Sequence, residues 1–409
     1  MTPSAWFRVF LLFSMGYFVS YMFRGVNLGF APFITRDLGL SGADLGLLTS
    51  LYFLGFAAAQ IPVGVLLDRF GPRRTTSGML LFAAAGIWIF GAAQGIGAMM
   101  LGRLLIGVGV SVCMSAAFKA LAQILPVAQL PFVNGLVIAV GGLGGVMVGS
   151  PLALLLGVAS WRSVCVGLGV FTVLVAAAIF LIAPDKREVQ SQASVVTQFK
   201  GTWIILKSAA FWKIASFSVV TQGVFYAMQS LWIRPYLIDV VGVSDHHAAA
   251  LVSILGFAMM AGCIGFGAAA PHLERRGVSV YAFCGFGMAL FVVTQVLMLM
   301  RAPLPPALLI ACYGVFGGTG ILSYAVLSRH FPVHMIGRAL STLTLVMFVL
   351  IFAFQVGIGA MLSFWPAEGG HYPVAAHLSA WGILIALQLA SAVWYVLPSR
   401  VLEKRPGVA

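Results

Sequence analysis

The chain has 409 residues, of which 61% are hydrophobic and 8% charged. So few charged side chains cannot cover the surface of a water-soluble domain of this length, which excludes a soluble enzyme or a soluble binding module. The formal charge of +13 would suggest nucleic acid in a soluble protein, but its placement along the chain gives it another meaning.

A helix needs about 20 apolar residues to cross a hydrocarbon core about 30 Å thick. Runs of that kind recur over 7–33, 43–67, 76–96, 97–124, 131–157, 162–183, 211–238, 247–270, 279–300, 304–328, 338–364 and 377–398. The first run is too long for a signal-peptide core and has no small-residue cleavage site after it, so it reads as span one. Between spans six and seven lies a polar stretch with Asp185-Lys186-Arg187-Glu188-Val189-Gln190-Ser191-Gln192, followed by an amphipathic segment around Trp203–Lys207. The expected fold is an all-α membrane protein of twelve transmembrane helices. Its expected parts are one six-helix bundle over 1–183, a cytoplasmic linker over 184–210 and a second bundle over 211–409.

With the N-terminus inside, the cytoplasmic side carries Arg8, Arg69, Arg73, Arg74, Lys186, Arg187, Lys200, Lys207, Lys213, Arg275, Arg276, Arg329, Arg338, Arg400, Lys404 and Arg405. The other side carries Arg36, Arg162, Arg234 and Arg301. This bias is the positive-inside pattern, and it places both termini in the cytoplasm of a bacterial-type inner membrane. The partner implied by the basic balance is the lipid bilayer, not nucleic acid. All five cysteines (Cys113, Cys165, Cys263, Cys284, Cys312) fall in apolar spans without CxxC spacing, so no disulfide, metal or other cofactor is expected.

The turn between spans two and three reads Gly64-Val65-Leu66-Leu67-Asp68-Arg69-Phe70-Gly71-Pro72-Arg73-Arg74. Positive-inside placement accounts for its arginines but not for Gly64, Asp68 and Gly71. A faded counterpart, Gly267 to Gly277, follows span eight, with Pro271 where the first copy has Asp68. The ends of spans four and ten also match weakly, Ala120 to Pro126 against Val326 to Pro332, which suggests a duplicated six-span unit. On these residues the chain resembles the major facilitator superfamily over essentially its full length. Arg103-Leu104-Leu105-Ile106-Gly107-Val108-Gly109 resembles that superfamily's span-four motif, with Ile106 where a Gln is usual. In span five, Gly145-Val146-Met147-Val148-Gly149 is followed by Ser150-Pro151, one residue out of register with the antiporter signature. The resemblance implies two pseudo-symmetric halves and transport by alternating access. In that reading Gly64, Asp68, Arg69, Gly71, Arg73 and Arg74 form a cytoplasmic latch. Gly64 would permit close helix approach, and Asp68 would accept from a neighbouring helix N-terminus and from arginines across the halves.

No acidic residue and no histidine falls in the middle of a span. Three cations do: Arg24, Arg103 and Lys119. A buried charge is costly unless compensated, and with no carboxylate in sight an anionic substrate is the natural complement. Arg24 lies about 25 Å along span one, slightly beyond mid-depth. Tyr17, Ser20, Tyr21, Arg24 and Asn27 follow helical spacing and form one polar stripe. The segment Tyr21 to Leu28 also resembles the organic-anion branches of the superfamily, the anion–cation symporters and sugar-phosphate exchangers, where the matching Arg binds the substrate anion. Ser111, Ser115 and Lys119 share a face of span four, and Lys119 is expected either to touch ligand or to snorkel to the cytoplasm. Arg103 lies about 160° around that helix from Lys119 and is expected to be a structural or gating residue. The second half offers Ser218, Gln222, Tyr226 and Gln229 as a stripe on span seven, with Trp232, Tyr313, Tyr324 and Gln355 as further wall candidates.

The expected function is transport of a small organic anion, monocarboxylate-like in preference to a phosphate ester, by a monomer, with H+ or a counter-anion as coupling partner. Two rivals are an efflux transporter for amphipathic compounds and a solute sensor that binds without transporting. An enzyme is not expected, because no nucleophile–base pair or metal cluster converges within the spans.

Overall fold

The structure, a computed structural model, describes residues 3–126, 130–184, 195–331, 333–367 and 371–398. Linker residues 185–194, Pro332, Glu368 and the tail cations Arg400, Lys404 and Arg405 lie outside the described residues. The chain divides into two units, Met1–Val195 and Val196–Ala409. The first holds α1 (Pro3–Leu38), α2 (Gly42–Ala92), α3 (Ile96–Val110), α4 (Cys113–Ala122), α5 (Leu130–Met147), α6 (Ser150–Val158) and α7 (Trp161–Ile182). The second holds α8 (Val195–Leu206), α9 (Ala209–Ala227), α10 (Ile233–Asp239), α11 (Asp245–Arg275), α12 (Val280–Leu299), α13 (Pro306–Gly317), α14 (Leu322–His330), α15 (Val333–Leu362) and α16 (Val374–Val396).

Serine sets many of the helix starts. Ser41 accepts from the Asp44 amide at 3.2 Å while Asp44 accepts from the Ser41 amide at 2.9 Å, a reciprocal cap on α2. Ser160, Ser208, Ser244 and Ser279 cap α7, α9, α11 and α12 in the same one-way sense, each worth about 1 kcal/mol. At the other end of α16, the buried Lys213 donates its Nζ to the carbonyls of Trp394 and Leu397. This lysine, counted among the cytoplasmic cations by sequence, is therefore a helix C-cap, where a cation also meets the negative end of the dipole.

Among the described residues, nine helices and two bent helix pairs are long and apolar enough to cross a bilayer. One of the nine, α2, is 51 residues long, about 77 Å if straight, far more than one crossing needs. It doubles back at Gly71, whose φ of 75° and ψ of 167° are open to glycine and hardly to any other residue. The Thr75 hydroxyl donates to the Leu66 carbonyl at 3.0 Å, although nine residues of straight helix would separate them by about 13 Å. Counting α2 as two crossings gives twelve, in the chain order expected from hydropathy.

Four of those crossings are broken, which continuous apolar runs do not announce. Span four breaks between α3 and α4, and span five bends by 41° between α5 and α6, where Pro151 starts the second piece. Span seven passes through a wider turn over Met228–Trp232, and span ten through a tighter one over Gly318–Ile321. A backbone break inside an apolar bundle needs polar partners from neighbouring helices. Gln355 of α15 supplies them to span seven, donating to the Ala227 carbonyl at 2.8 Å and to the Ser230 hydroxyl. Gln222 and Ser218 of α9 supply them to span ten, donating to the carbonyls of Gly317 and Gly320.

Gly64 behaves differently from the expectation. A Cβ placed on it meets no heavy atom within 4 Å, so it makes no close helix approach in this structure. Gly71→Ala should therefore lower thermal stability by about 1–3 kcal/mol, whereas Gly64→Ala should be neutral or raise it by up to about 1 kcal/mol. Melting temperatures of the two purified variants check this, and equal losses would contradict it.

Candidate functional site

In the first unit the polar stripe of α1 is buried and organised around a residue from the next helix. Arg24 is 6% exposed, and its guanidinium carbon lies 4.3 Å from the Tyr21 ring centroid. Tyr17 packs edge-on against Tyr21 at 5.1 Å. Asn27 donates to the Thr49 hydroxyl on α2 at 3.0 Å. One turn along α2 from Thr49 stands Tyr52, fully buried, whose hydroxyl donates to the Ser20 carbonyl at 3.1 Å and lies within electrostatic reach of the Arg24 guanidinium. Arg103 of α3 also approaches Tyr52, with its guanidinium carbon 5.2 Å from the ring centroid. Arg103 is fully buried and donates one Nη to the Phe23 carbonyl at 3.0 Å. Its Nε and second Nη have no hydrogen-bond partner among the described residues.

Gly107 explains how α3 comes so near. A Cβ there would stand 2.0 Å from the Tyr52 carbonyl oxygen, so only glycine lets the two backbones meet at this point. The span-four motif thus serves a packing purpose one turn past its arginine, and that packing sets the place of Tyr52. Two guanidinium groups and a phenol, from three helices, share one small interior volume. Their combined field in a medium of low dielectric favours an anion there.

Lys119 does not join this cluster, and it is not a cation without an acidic partner. Its Nζ donates to the Asp68 carboxylate at 2.7 Å and to the Leu67 carbonyl at 3.3 Å. The reason is reach: Lys119 stands in the last turn of α4, and its four-carbon stem extends to the end of span two at the turn. Ser115, on the same face, is half-buried. The latch carboxylate is therefore held within its own unit, by a lysine 51 residues away. Around it, Arg69 stacks on Phe70 at 5.3 Å and Arg73 on Phe180 at 5.1 Å, while Arg74 completes the basic turn.

The second unit repeats this device with different residues. Glu274 of α11 pairs with Arg329 of α14. The faded turn after span eight has Pro271 in the Asp68 position, but the carboxylate reappears three residues later. Its cation likewise sits one helical turn beyond the position that matches Lys119 in the weak repeat of spans four and ten. Both partners are displaced together, so the link between the second and fourth spans of the unit is kept.

The neutral polar candidates of the second unit separate into structural and accessible groups. Gln222 and Gln355 are committed to the broken backbones of spans ten and seven, as described above. The Gln229 side-chain amide approaches the Met259 sulfur at 3.6 Å, and Tyr324 shares a 2.8 Å hydrogen bond with Thr344. Tyr226, Gln229 and Tyr324 are half-buried. Sequence reasoning missed Tyr52, because a single tyrosine in an apolar run carries no signal of its own. It also missed a cluster at the end of α10, where Asp239 meets His371 at 2.6 Å, His377 at 2.8 Å and the Tyr372 amide at 3.1 Å.

A sequence model of the Major Facilitator Superfamily matches residues 13–354. The chain belongs to that superfamily. It is a membrane-spanning transporter with the major facilitator fold, not an enzyme. Similar proteins include a probable sulfoacetate transporter of Cupriavidus necator, 29% identical over 174 residues, which are 42% of this chain and 40% of the relative. A hexuronate transporter of Bacillus subtilis is 24% identical over 255 residues, 58% of this chain and 59% of the relative. The chain thus spans less than two thirds of the length of these relatives. A solved bacterial homolog of the human lysosomal transporter Spinster, inward-facing and occupied, superposes with a TM-score of 0.73 at 18% identity over 100% of both chains, a likeness of fold.

The Asp68–Lys119 pair predicts energetic coupling. Lys119→Met should cost less stability in an Asp68→Asn background than in the native protein, by about 0.2–1 kcal/mol for a partly exposed pair. A double-mutant cycle of thermal unfolding measures this, and strictly additive losses would contradict the pairing.

Proposed function

We propose that this transporter moves a small organic anion across the bacterial inner membrane by alternating access, with both termini in the cytoplasm. The observation that carries the reading is the pair of buried guanidiniums, Arg24 and Arg103, both close to Tyr52. Arg24 is assigned to the anionic group of the substrate, and Tyr17, Tyr21 and Asn27 to its immediate surroundings. Arg103 is assigned to the electrostatic field and to gating, since its bond to the Phe23 carbonyl ties α3 to α1. The described carboxylates of this unit support the reading: Asp37 accepts from the Trp161 indole, Asp44 caps α2 and Asp68 holds Lys119, all at span ends. The relatives named for sulfoacetate and hexuronate add support for the anion class. With Arg103 donating to the Phe23 carbonyl, Arg24 is the one arginine assigned to the ligand, which suits a carboxylate-sized anion better than a doubly charged ester.

In alternating access the latch turn and its pairs act at the cytoplasmic face. Asp68 held by Lys119, and Glu274 held by Arg329, keep spans two and four, and eight and ten, moving as rigid pieces. Asp68→Asn should then slow transport while leaving ligand binding intact.

Thermal stabilisation by a panel of monocarboxylates, dicarboxylates, phosphate esters, amino acids and cationic drugs tests the anion reading. One anion class should stabilise the native protein. Arg24→Ala should weaken that binding about 10- to 100-fold, the loss of a charge-assisted contact, and Tyr52→Phe by about 10-fold or less. Stabilisation of native and Arg24→Ala protein alike by cationic drugs would replace this reading with efflux.

A further inference from the structure

A second place suited to an anion lies in the second unit, at the ends of its crossings. At the ends of spans seven and nine and the start of span ten is a groove of about 180 Å³, lined by Tyr236, Val240, Met298, Arg301, Pro306 and Leu309 among others. Apart from Arg301 and the Tyr236 hydroxyl its lining side chains are apolar, and two of them, Val241 and Leu304, are exposed large hydrophobics, as expected of a surface covered by acyl chains. The groove sits at the ends of these crossings, where the chain meets the headgroup layer.

Arg301 marks this groove. It terminates α12 with a φ of 52°, and it is the one described non-glycine residue with positive φ; Gly39, Gly71, Gly242 and Gly277 hold the others. The turn itself is an ordinary helix stop, with the Arg301 amide donating to the Met298 carbonyl at 3.1 Å and the Ala302 amide to the Leu297 carbonyl at 3.0 Å. Glycine is the residue that suits such a stop, so retaining an arginine there costs stability that its side chain must offset in another way. That side chain is exposed and makes no ion pair or hydrogen bond among the described residues. Across the groove begins α13, whose N-cap is Pro305 and carries no side-chain cap. Its positive dipole end therefore faces the same space as the guanidinium. The opposing carbonyl end of α12 is already occupied, since the Tyr236 hydroxyl donates to the Met298 carbonyl at 2.8 Å. One side of the groove is thus cationic and the remainder apolar.

We propose that this groove holds an anionic phospholipid, with the headgroup phosphate between Arg301 and the start of α13 and the upper acyl chain against Val241, Leu304 and Leu309. The amphiphile is the occupant because a cation and exposed apolar side chains, Val241 and Leu304, adjoin in one groove. A free phosphate would use only the charged side.

The test is thermal unfolding of the full chain, purified in neutral detergent, with added phosphatidylglycerol, phosphatidylcholine or glycerol 3-phosphate. Phosphatidylglycerol should raise the melting temperature several degrees more than phosphatidylcholine, and glycerol 3-phosphate should have no effect. Arg301→Gly is the decisive variant, since it relieves the backbone. It should melt no lower than the native protein without lipid, yet lose the phosphatidylglycerol excess. Arg301→Lys should keep part of that excess, and Leu309→Trp, which fills the groove, should reduce it. An excess retained in full by Arg301→Gly would place the lipid effect elsewhere and overturn the proposal. So would equal effects of the two lipids, or an effect of glycerol 3-phosphate as large as that of phosphatidylglycerol.

Discussion

Charge and polar backbone cannot be left unsatisfied inside an apolar bundle, and most of the specific features of this protein are answers to that constraint. Arg103 is fully buried, and one protein carbonyl and one aromatic ring are what the described structure offers it. Arg24 lies against the neighbouring Tyr21 ring, within electrostatic reach of the same tyrosine. Desolvating two guanidiniums near each other is unfavourable by itself, so the arrangement makes sense when a third, negative participant visits the site. Under the proposed function that participant is the cargo. Under that reading an anion is selected over a neutral or cationic solute, because it alone is attracted by the combined field of the two guanidiniums.

The same constraint accounts for the broken helices. Glutamines at 222 and 355 look by sequence like cavity walls, yet each is spent on the carbonyls of a neighbouring span where its helix is interrupted. A helix kept open at a fixed depth by a side chain from another helix is a defined hinge point, unlike a continuous rod. Spans seven and ten both carry such breaks, so the second unit has two places where small backbone changes cost little. The span ends at the latch turn and its counterpart show the opposite treatment: one ion pair in each unit, Asp68 with Lys119 and Glu274 with Arg329, clamps corresponding spans together. Conservation of the link, with both partners moved by about a turn, indicates that the clamp matters more than the residues that make it.

How much of this was legible in the sequence depends on the range of the interaction. Twelve crossings follow from hydropathy because burial in lipid is a property of each segment alone. The stripe of Tyr17, Tyr21, Arg24 and Asn27 was legible for a similar reason, since helical periodicity puts them on one face. Gly71 was legible as a turn residue, and its backbone angles show why only glycine serves there. What sequence did not show are contacts made between helices. Lys119 looked like an intramembrane cation because nothing local reveals that Asp68 ends within its reach. Tyr52 carried no periodic signal, although it is the residue on which both arginines converge. Gly64 shared a motif with Gly71 but not its purpose, as the space beside it is open.

The central claim is that the buried cations of the first unit hold the substrate's anionic group. An experimental structure of the purified protein with the anion that stabilises it most tests this directly. The account predicts density for the anionic group within hydrogen-bonding distance of Arg24, beside Tyr21 and Tyr52. Ligand density against apolar walls with Arg24 untouched would contradict it.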